Sequence, residues 1–271
     1  MTDALRKHIV EGTHMRESPI LVLGMHKSGT TLIAETLHRS GISMVEAEQV
    51  GGYDDGNKME RDETRRLNIA LLKSDRQESV RITRPLDANT VTQEWRAHGR
   101  AILKRQDSSG PWGFKDPRTL LTYEFWAELI HSPRLIGVFR DPAEVFLHYA
   151  RRPWWRWIRR DPLYLVAAMH AWCVYNEALL SLARRQPNLL LLDYAAFMSD
   201  AVEMDRLARF VGVPLVDQRK SDMRRATSER TAAYSILERY ERRRHGLDAT
   251  KIHTELAMLR EKRIEMERGY A

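Results

Sequence analysis

The chain has 271 residues, 43% of them hydrophobic, and a formal net charge of +7 from 44 Lys and Arg against 37 Asp and Glu. This is enough for one sizeable α/β domain with appendages. The single cysteine, Cys173, excludes a disulfide framework and any metal site made of several cysteines. The positive charge favours anionic ligands, but it comes without a nucleic-acid-binding signature, so we expect no nucleic acid partner. No apolar stretch near the N-terminus has the length of a signal peptide core, and we expect a cytoplasmic protein.

Short apolar runs alternate with helical patterns along the chain. The candidate strands are PILVLG (19–24), WGFK (112–115), RLIGVF (134–139) and NLLLLDY (188–194). The candidate helices are TTLIAETLHRS (30–40), 58–72, 90–106 and 163–185. Strands that are almost wholly apolar and alternate with helices predict a buried parallel sheet flanked by helices, which is an α/β fold.

We divide the chain into an N-terminal arm (1–17), an α/β domain (18–228) and a C-terminal helical extension (229–271). The extension is highly charged and has a helical period. Its sparse apolar stripe consists of Ile252, Leu256, Leu259 and Met266. This pattern predicts a solvated, charged helical arm, which is also a candidate surface for pairing with a second copy as a homodimer.

The segment GMHKSGTT (24–31) joins the first strand to the first helix. Gly24 and Gly29 keep the spacing of a nucleoside triphosphate loop, but Thr30 stands at the position of its lysine and Lys27 comes earlier. Such loops hold an anion because consecutive backbone N–H groups and a helix N-terminus converge on it. Lys27 is therefore expected to reach the bridging or terminal group of the bound anion, and a kinase of the P-loop type is disfavoured.

HKSGTT resembles the PKSGTT-type loop of sulfotransferases that use 3′-phosphoadenosine 5′-phosphosulfate (PAPS), and GMHKSGTTL resembles the bacterial GMHRSGTS variant. In that family the loop lysine or arginine contacts the oxygen that bridges phosphate and sulfate. The resemblance implies this role for Lys27. It also implies that the loop contributes cofactor-binding groups, from His26, Lys27, Ser28, Gly29, Thr30 and Thr31.

LIGVFRDPAEVFLHYARR (135–152) resembles the second signature of this family, in which R-D-P is followed by a serine eight positions after the arginine. The resemblance implies that Arg140 pairs with the 3′-phosphate of PAPS. At the serine position this chain has His148, which can donate hydrogen bonds to a phosphate. A half-buried helix residue is the other interpretation of His148.

WGFKDPR (112–118) resembles the lysine-bearing strand end of the family, which implies that Lys115 helps to hold the sulfuryl oxygens. Cytosolic members have a catalytic histidine two positions after that lysine, where this chain has Pro117. GNKMERDETRRLNIALL (56–72) resembles a stretch of bacterial members, with Glu60 on its glutamate and Asn68 on its asparagine. Some carbohydrate and protein-tyrosine sulfotransferases use a glutamate base.

Glu60 is accordingly the first candidate for the catalytic base, and Asp55, Asp54 and His148 are the others. The helix dipole offers a different explanation for Glu60, because it favours any glutamate in the first turn of a helix. The resemblance as a whole implies catalytic roles for Lys27, Glu60 and Lys115, PAPS as co-substrate without a metal, and a small-molecule or glycan acceptor. A nucleotide- or anion-binding protein that has lost catalysis is the alternative.

PWWRWIRR (153–160) combines aromatic rings with arginines. Tryptophan faces stack on sugars or bases while arginines hold anions, so this segment is a candidate acceptor lid. A protein interface and a peripheral membrane contact through Trp154, Trp155 and Trp157 are the other interpretations.

Overall fold

The structure is a computed structural model, and it describes residues 18–46, 59–75, 77, 79–106, 110–151, 163–220 and 230–269. Three features discussed above lie outside these residues: the N-terminal arm, the aspartates Asp54 and Asp55, and the tryptophan-rich segment (153–160). The expectations for them stay predictions.

Within the described residues, four parallel strands form one sheet. They are β1 (Ile20–Leu23), β2 (Gly113–Lys115), β3 (Arg134–Phe139) and β4 (Leu190–Asp193). Their spatial order is β2-β1-β3-β4, with Val22 beside both Lys115 and Ile136. The predicted strands and the parallel α/β fold are confirmed. Because β1 leads to β2 on one side and β3 leads to β4 on the other, the crevice above the carboxyl ends of β1 and β3 is where such sheets bind ligands.

The helices surround this sheet. They are α1 (Thr30–Arg39), α2 (Asp62–Leu71), α3 (Gln93–Gln106), α4 (Tyr123–Leu129), α5 (Pro142–Ala150), α6 (Tyr164–Arg185), α7 (Tyr194–Ser199), α8 (Ala201–Val211), α9 (Ala232–His245) and α10 (Ala249–Gly269). The helices predicted at 30–40, 90–106 and 163–185 are confirmed within a few residues. Helix α2 begins at Asp62, later than the predicted start at residue 58.

Strands β1, β3 and β4 contribute to two cores, one on each face of the sheet, and Phe114 of β2 packs into the larger one. Ile20 and Val22 pack with the apolar residues of α1, α7 and α8. Leu21 and Leu23 point the other way, into a larger core shared with α2 to α6 and with the C-terminal helices. Successive side chains of a strand alternate between its faces, and both faces are covered, so the strands are apolar except at their ends, where Lys115, Arg134 and Asp193 lie.

Helix α6 is the central helix of the larger core. By length and composition alone it is long and apolar enough to cross a membrane. In the structure Trp172, Tyr175 and Leu179 are buried, and the helix contacts α5, α9, α10 and β3. Packing inside the domain therefore accounts for its apolar sequence.

The C-terminal helices differ from the solvated arm that their charge predicted. Helix α9 packs on α6, and α10 packs on α6, α5 and β4. Ile252 and Leu256 of the apolar stripe are buried in the larger core, while Met266 is exposed. A sparse apolar stripe is enough to bury these helices, because each of them packs on α6 through only one narrow face. Pairing with a second copy stays a prediction.

A buried group of ion pairs also ties α10 to the sheet. Arg206, on α8, donates from Nη1 to Glu203 Oε2 and from Nη2 to Glu267 Oε1, both at 2.9 Å. A further bond reaches the carbonyl oxygen of Leu191 in β4 at 3.3 Å. Glu203 is fully buried and also accepts a hydrogen bond from Arg260 of α10 at 2.8 Å. Arg206 thus connects α8, β4 and α10.

Arg206→Ala is expected to lower the free energy of unfolding by at most about 3–5 kcal/mol, because the substitution removes one partner of a buried ion pair, while Arg260 remains as a second partner of Glu203. Urea denaturation of the purified protein measures this change. The matched control is Arg209→Ala on the exposed face of the same helix, where we expect a change of about 0.5 kcal/mol or less. A loss for Arg206→Ala as small as the control's would show that α10 does not depend on this arginine.

Candidate active site

The loop between β1 and α1 lies at the carboxyl ends of the strands. A Cβ atom on Gly24 would be 2.5 Å from the carbonyl oxygen of Val138 in β3, so only glycine fits there. Lys27 and Gly29 have φ angles of 67° and 95°, both in the left-handed region. Helix α1 begins at Thr30 without a side-chain cap, so its first N–H groups remain available to an anion.

Tyr194, directly after β4, connects this loop to the second signature. A Cβ atom on Gly29 would be 2.1 Å from the Tyr194 ring. The guanidinium carbon of Arg140 lies 4.5 Å from the centroid of the same ring. The ring therefore supports the loop and stacks on the arginine, a role that the sequence pattern of β4 did not reveal.

Arg140 follows β3 and is held against the loop. Its Nε donates to Glu144 Oε2 at 2.7 Å, and its Nη1 donates to the carbonyl oxygen of Lys27 at 3.3 Å. The carbonyl oxygen of Arg140 accepts a hydrogen bond from the Trp172 indole at 3.2 Å. Since Nε is engaged by Glu144, a two-bond contact with a phosphate would use the Nη1–Nη2 edge of the guanidinium.

His148 lies one helical turn beyond Glu144 on α5, so both side chains project from the same face of that helix. The imidazole is half-buried, and its ring centroid is 5.7 Å from that of Tyr149. This position is compatible with both interpretations of His148.

Lys115, at the end of β2, forms a buried ion pair with Glu60. Its Nζ donates to Glu60 Oε1 at 2.9 Å, and the residues are only 3% and 6% exposed. Burial raises the pKa of the Glu60 carboxyl above its usual value, and Asp116 adds to this effect, while the charges of Lys115 and Arg118 oppose it. The placement of Glu60 in the first turn of a helix is wrong, because α2 begins at Asp62 with Arg61 as its N-cap. The helix dipole therefore does not account for this glutamate.

The residue after Glu60 fixes its position. The Arg61 side chain is buried and donates to the carbonyl oxygens of Gly113 at 2.8 Å and Ser43 at 2.7 Å. Its guanidinium also lies over the Trp112 ring, 5.5 Å from the centroid. These contacts attach the start of α2 to β2, the strand that carries Lys115.

A hydrogen-bond network lies behind this ion pair. Arg118, in a short 3₁₀ helix (Pro117–Leu120), donates from Nη1 to Asp116 Oδ1 at 2.8 Å. Asn68 of α2 donates to Asp116 Oδ2 at 3.0 Å and accepts from the indole of Trp126 at 2.9 Å. Arg118 Nη1 is also 3.9 Å from Glu60 Oε2. Asp116 and Arg118 were not identified from the sequence, although both belong to the WGFKDPR motif.

His26 is surrounded by cations. Both of its ring nitrogens are buried, although the residue as a whole is only half-buried. Burial, followed by the positive charges of Arg118, Lys115 and Lys27, lowers the pKa of His26 to about 3. The imidazole is therefore neutral at physiological pH, and its surroundings favour a bound anion. Its ring packs edge-on against Tyr175 of α6, at 5.5 Å between centroids.

Several buried polar atoms around the loop have no hydrogen-bond partner among the described residues. They are both ring nitrogens of His26, Ser28 Oγ, Glu60 Oε2, Arg118 Nε and the Tyr175 hydroxyl. Buried polar groups are normally hydrogen-bonded, so their concentration here indicates the place of a polar ligand. Burial also raises the pKa of the Tyr175 hydroxyl, which keeps it neutral and able to donate.

The structure thus brings most of the sequence-derived candidates to the carboxyl edge of the sheet. Arg140 donates a hydrogen bond to the carbonyl oxygen of Lys27. Lys115, which pairs with Glu60, lies near enough to the loop that its charge lowers the pKa of His26. Thr30 and Thr31 form the first turn of α1. Besides Asp116 and Arg118, sequence reasoning missed Tyr194, which begins α7 directly after β4, and Tyr175 of α6. The sequence around Tyr175 is AWCVYN (171–176), inside the helix predicted over 163–185, and no motif described above includes it.

Comparison with known families agrees with this arrangement. A sequence profile described as the sulfotransferase family matches residues 19–218, which include all four strands and the helices α1 to α8. No curated protein is significantly similar in sequence.

Three solved structures have a similar fold. The sulfotransferase domain of the Synechococcus PCC 7002 olefin synthase is 18% identical, with a TM-score of 0.45 over 90% of this chain and 93% of that one. The sulfotransferase domain of the curacin biosynthetic pathway is 15% identical, with a TM-score of 0.47 over 81% and 82%. A sulfotransferase of Mycobacterium tuberculosis H37Rv is 15% identical, with a TM-score of 0.46 over 90% and 80%. None of these three similarities bears on the donor or acceptor of this chain.

The family profile covers well over half of the sequence, from the start of β1 to beyond α8, and the loop, the second signature and the Lys115–Glu60 pair all lie inside the matched residues. The chain therefore belongs to the sulfotransferase family.

Proposed function

We propose that the protein transfers a sulfuryl group from PAPS to a hydroxyl or amine of a small-molecule or glycan acceptor. Family membership supports sulfuryl transfer, and the loop and second signature support PAPS as donor. The observation that carries the proposal is the buried Lys115–Glu60 pair beside a loop with unpartnered polar atoms. It offers a cation and a carboxylate at one place, which are the two charges that the reaction needs.

The residues around the loop fit PAPS. Ser28 Oγ and Arg118 Nε are buried donors without a partner among the described residues, and His26 is a neutral group facing three cations. When bound, PAPS supplies an activated sulfuryl group whose departure leaves negative charge on the 5′-phosphate. Lys27, inside the loop, stabilises that charge, and the N–H groups at the start of α1 add to this stabilisation.

Glu60 takes the proton of the acceptor in this proposal. A base is most effective when its pKa lies near the working pH, and the burial of Glu60 raises its pKa in that direction. Lys115 keeps the carboxylate oriented through the 2.9 Å hydrogen bond and holds the sulfuryl oxygens beside it. Sulfuryl transfer depends mostly on positioning and charge stabilisation, which the anchored segment from Glu60 to Arg61 and the end of β2 supply.

Arg140 distinguishes the donor from other adenine nucleotides. Its Nη1–Nη2 edge binds the 3′-phosphate, while Glu144 and Tyr194 hold the guanidinium in place. His148, on the same helix face as Glu144, is the second candidate contact with that phosphate.

The proposed donor is tested with 3′-phosphoadenosine 5′-phosphate (PAP), the product that PAPS leaves. At a hundredfold excess over its Kd, PAP is expected to stabilise the protein by ~2.7 kcal/mol, which differential scanning fluorimetry detects as a rise in Tm. AMP at the same concentration should raise the Tm much less, because it lacks the 3′-phosphate. Arg140→Ala should remove most of the difference between the two nucleotides.

Equal Tm shifts with PAP and AMP would contradict the role of Arg140, and a larger shift with ATP and Mg²⁺ would favour a kinase. Turnover is followed separately, as PAPS consumption and as the mass gain of one sulfuryl group across a panel of glycans and small metabolites. PAP binding without PAPS consumption on any acceptor of the panel would favour the non-catalytic alternative.

A further inference from the structure

A second cluster of ligand-type side chains lies between α6 and α9, and none of its members belongs to the candidate active site described above. It consists of His170 on α6 with Glu241 and His245 on α9, and one nitrogen or oxygen atom from each lies within 4.8 Å of the other two. Helix α9 is outside the residues that match the family profile. Membership of the family therefore does not explain the cluster.

The three side chains converge because of where they lie on the two helices. Glu241 and His245 are one turn apart on the face of α9 that meets α6. Glu241 Oε2 is 2.9 Å from Nδ1 of His170, and the rings of His170 and His245 have centroids 4.4 Å apart at an angle of 41°. The imidazoles thus stand side by side, with the carboxylate next to one of them.

The burial of Glu241 indicates that a positive group is needed there. The residue is 1% exposed, and its Oε1 is a buried atom with no hydrogen-bond partner among the described residues. A carboxylate in this position is costly unless it is paired or binds a metal. His245 is exposed, so the cluster opens to solvent on one side.

We propose that His170, Glu241 and His245 bind a Zn²⁺ ion, with solvent as the fourth ligand. Two imidazoles and one carboxylate, with one open position, form a typical ligand set for zinc. Bonds of about 2.0–2.2 Å in a tetrahedral site place the ligand atoms roughly 3.3–3.6 Å apart. The His170–Glu241 pair is slightly closer than this, and the exposed side chain of His245 can rotate to complete the site.

The ligand types select among cations. Ca²⁺ and Mg²⁺ bind several oxygen ligands, and this cluster offers a single carboxylate. Zn²⁺ binds imidazole nitrogens as well as carboxylate oxygens, so two histidines and one glutamate favour zinc. The bound ion would connect α9 to the core helix α6.

The metal-free full-length protein is titrated with ZnCl₂ against a chromogenic chelator that competes for the metal. We expect a high-affinity site with one equivalent of zinc per chain. His245→Ala should raise its Kd roughly tenfold or more, since losing a direct ligand costs at least as much as losing a group that supports one. His245 is exposed, so this substitution spares the core. The matched control is His98→Ala, another exposed histidine, on α3, which should leave the Kd unchanged.

Two further measurements distinguish the loss of the zinc site from a general loss of folding in a variant. Co²⁺ in place of zinc should give the visible absorption of a four-coordinate site in the parent protein and in His98→Ala, and lose it in His245→Ala. ZnCl₂ should raise the Tm of the parent more than that of Glu241→Gln. Weak binding elsewhere, for example at the N-terminal His8 and His14, affects all variants alike. An equal zinc Kd in the parent, His245→Ala and Glu241→Gln would overturn the proposal and leave a His170–Glu241 hydrogen bond as the sole function of the cluster.

Discussion

Replacing Glu60 with glutamine is expected to lower turnover about 10²- to 10⁴-fold while PAP binding persists, because the amide keeps the shape of the side chain and cannot accept a proton. Steady-state PAPS consumption and the PAP-induced rise in Tm measure the two quantities separately. The amide oxygen introduced by Glu60→Gln can still accept the hydrogen bond from Lys115, so the buried lysine keeps a partner. The matched control is Glu63→Gln, which removes a surface ion pair with Arg105 on the adjacent helix and should leave turnover unchanged.

The pH dependence gives this prediction a second, independent outcome. The base works as a carboxylate, so the rate should fall as the pH decreases through the Glu60 pKa. Since burial raises that pKa, the acidic limb of the pH–rate profile should lie above the usual range of a glutamate. The limb should disappear in Glu60→Gln. If Glu60→Gln is nearly as active as the parent, Glu60 is not the base, and Asp55, Asp54 and His148 become the candidates.

Lys27→Ala is expected to lower turnover roughly 10²- to 10³-fold, and to weaken PAP binding by a smaller factor. The lysine acts mainly on charge that develops as the sulfuryl group leaves, so its loss affects the transition state more than the bound nucleotide. Both alanine and lysine carry a Cβ atom, so the left-handed backbone at this position, with φ of 67°, is affected little. Single-turnover rates together with PAP titrations measure the two effects.

Lys27→Arg is the matched comparison, because it retains the charge at the position where the GMHRSGTS variant has arginine. It should keep much more activity than Lys27→Ala. If Lys27→Ala lowers turnover and PAP affinity by the same factor, the lysine contributes only to nucleotide binding, and the leaving group must be stabilised elsewhere, with Arg118 as the first candidate.

Local sequence patterns predicted the sheet and the loop because both are determined locally. A strand covered on two faces must be apolar throughout, and the close approach of Gly24 to Val138 leaves room for glycine alone. The order β2-β1-β3-β4 then brings the residues that follow the strands to one edge. Lys27, Lys115 and Arg140 were identified from motifs at these strand ends.

Other site residues depend on contacts between distant segments, which no local pattern encodes. Tyr194 lies beneath Gly29 and Arg140 because β4 pairs with β3, and Tyr175 reaches His26 from the middle of a core helix. The environment of Glu60 follows from Arg61, whose bonds to Gly113 and Ser43 span three segments. The burial of the C-terminal helices was missed because their composition is dominated by an exposed face.

Because Arg206 attaches α10 to the domain, the end of the family match and the end of the packed domain lie at different residues. The match to the family profile ends at residue 218, but Glu267, one of the partners of Arg206, and the helices α9 and α10 that cover α6 lie beyond it. A fragment cut at the end of the similarity would expose the buried faces of α6 and leave Glu203 and Arg206 with fewer charges around them. In this protein the segment that the family profile matches is therefore shorter than the packed unit, which includes α9 and α10.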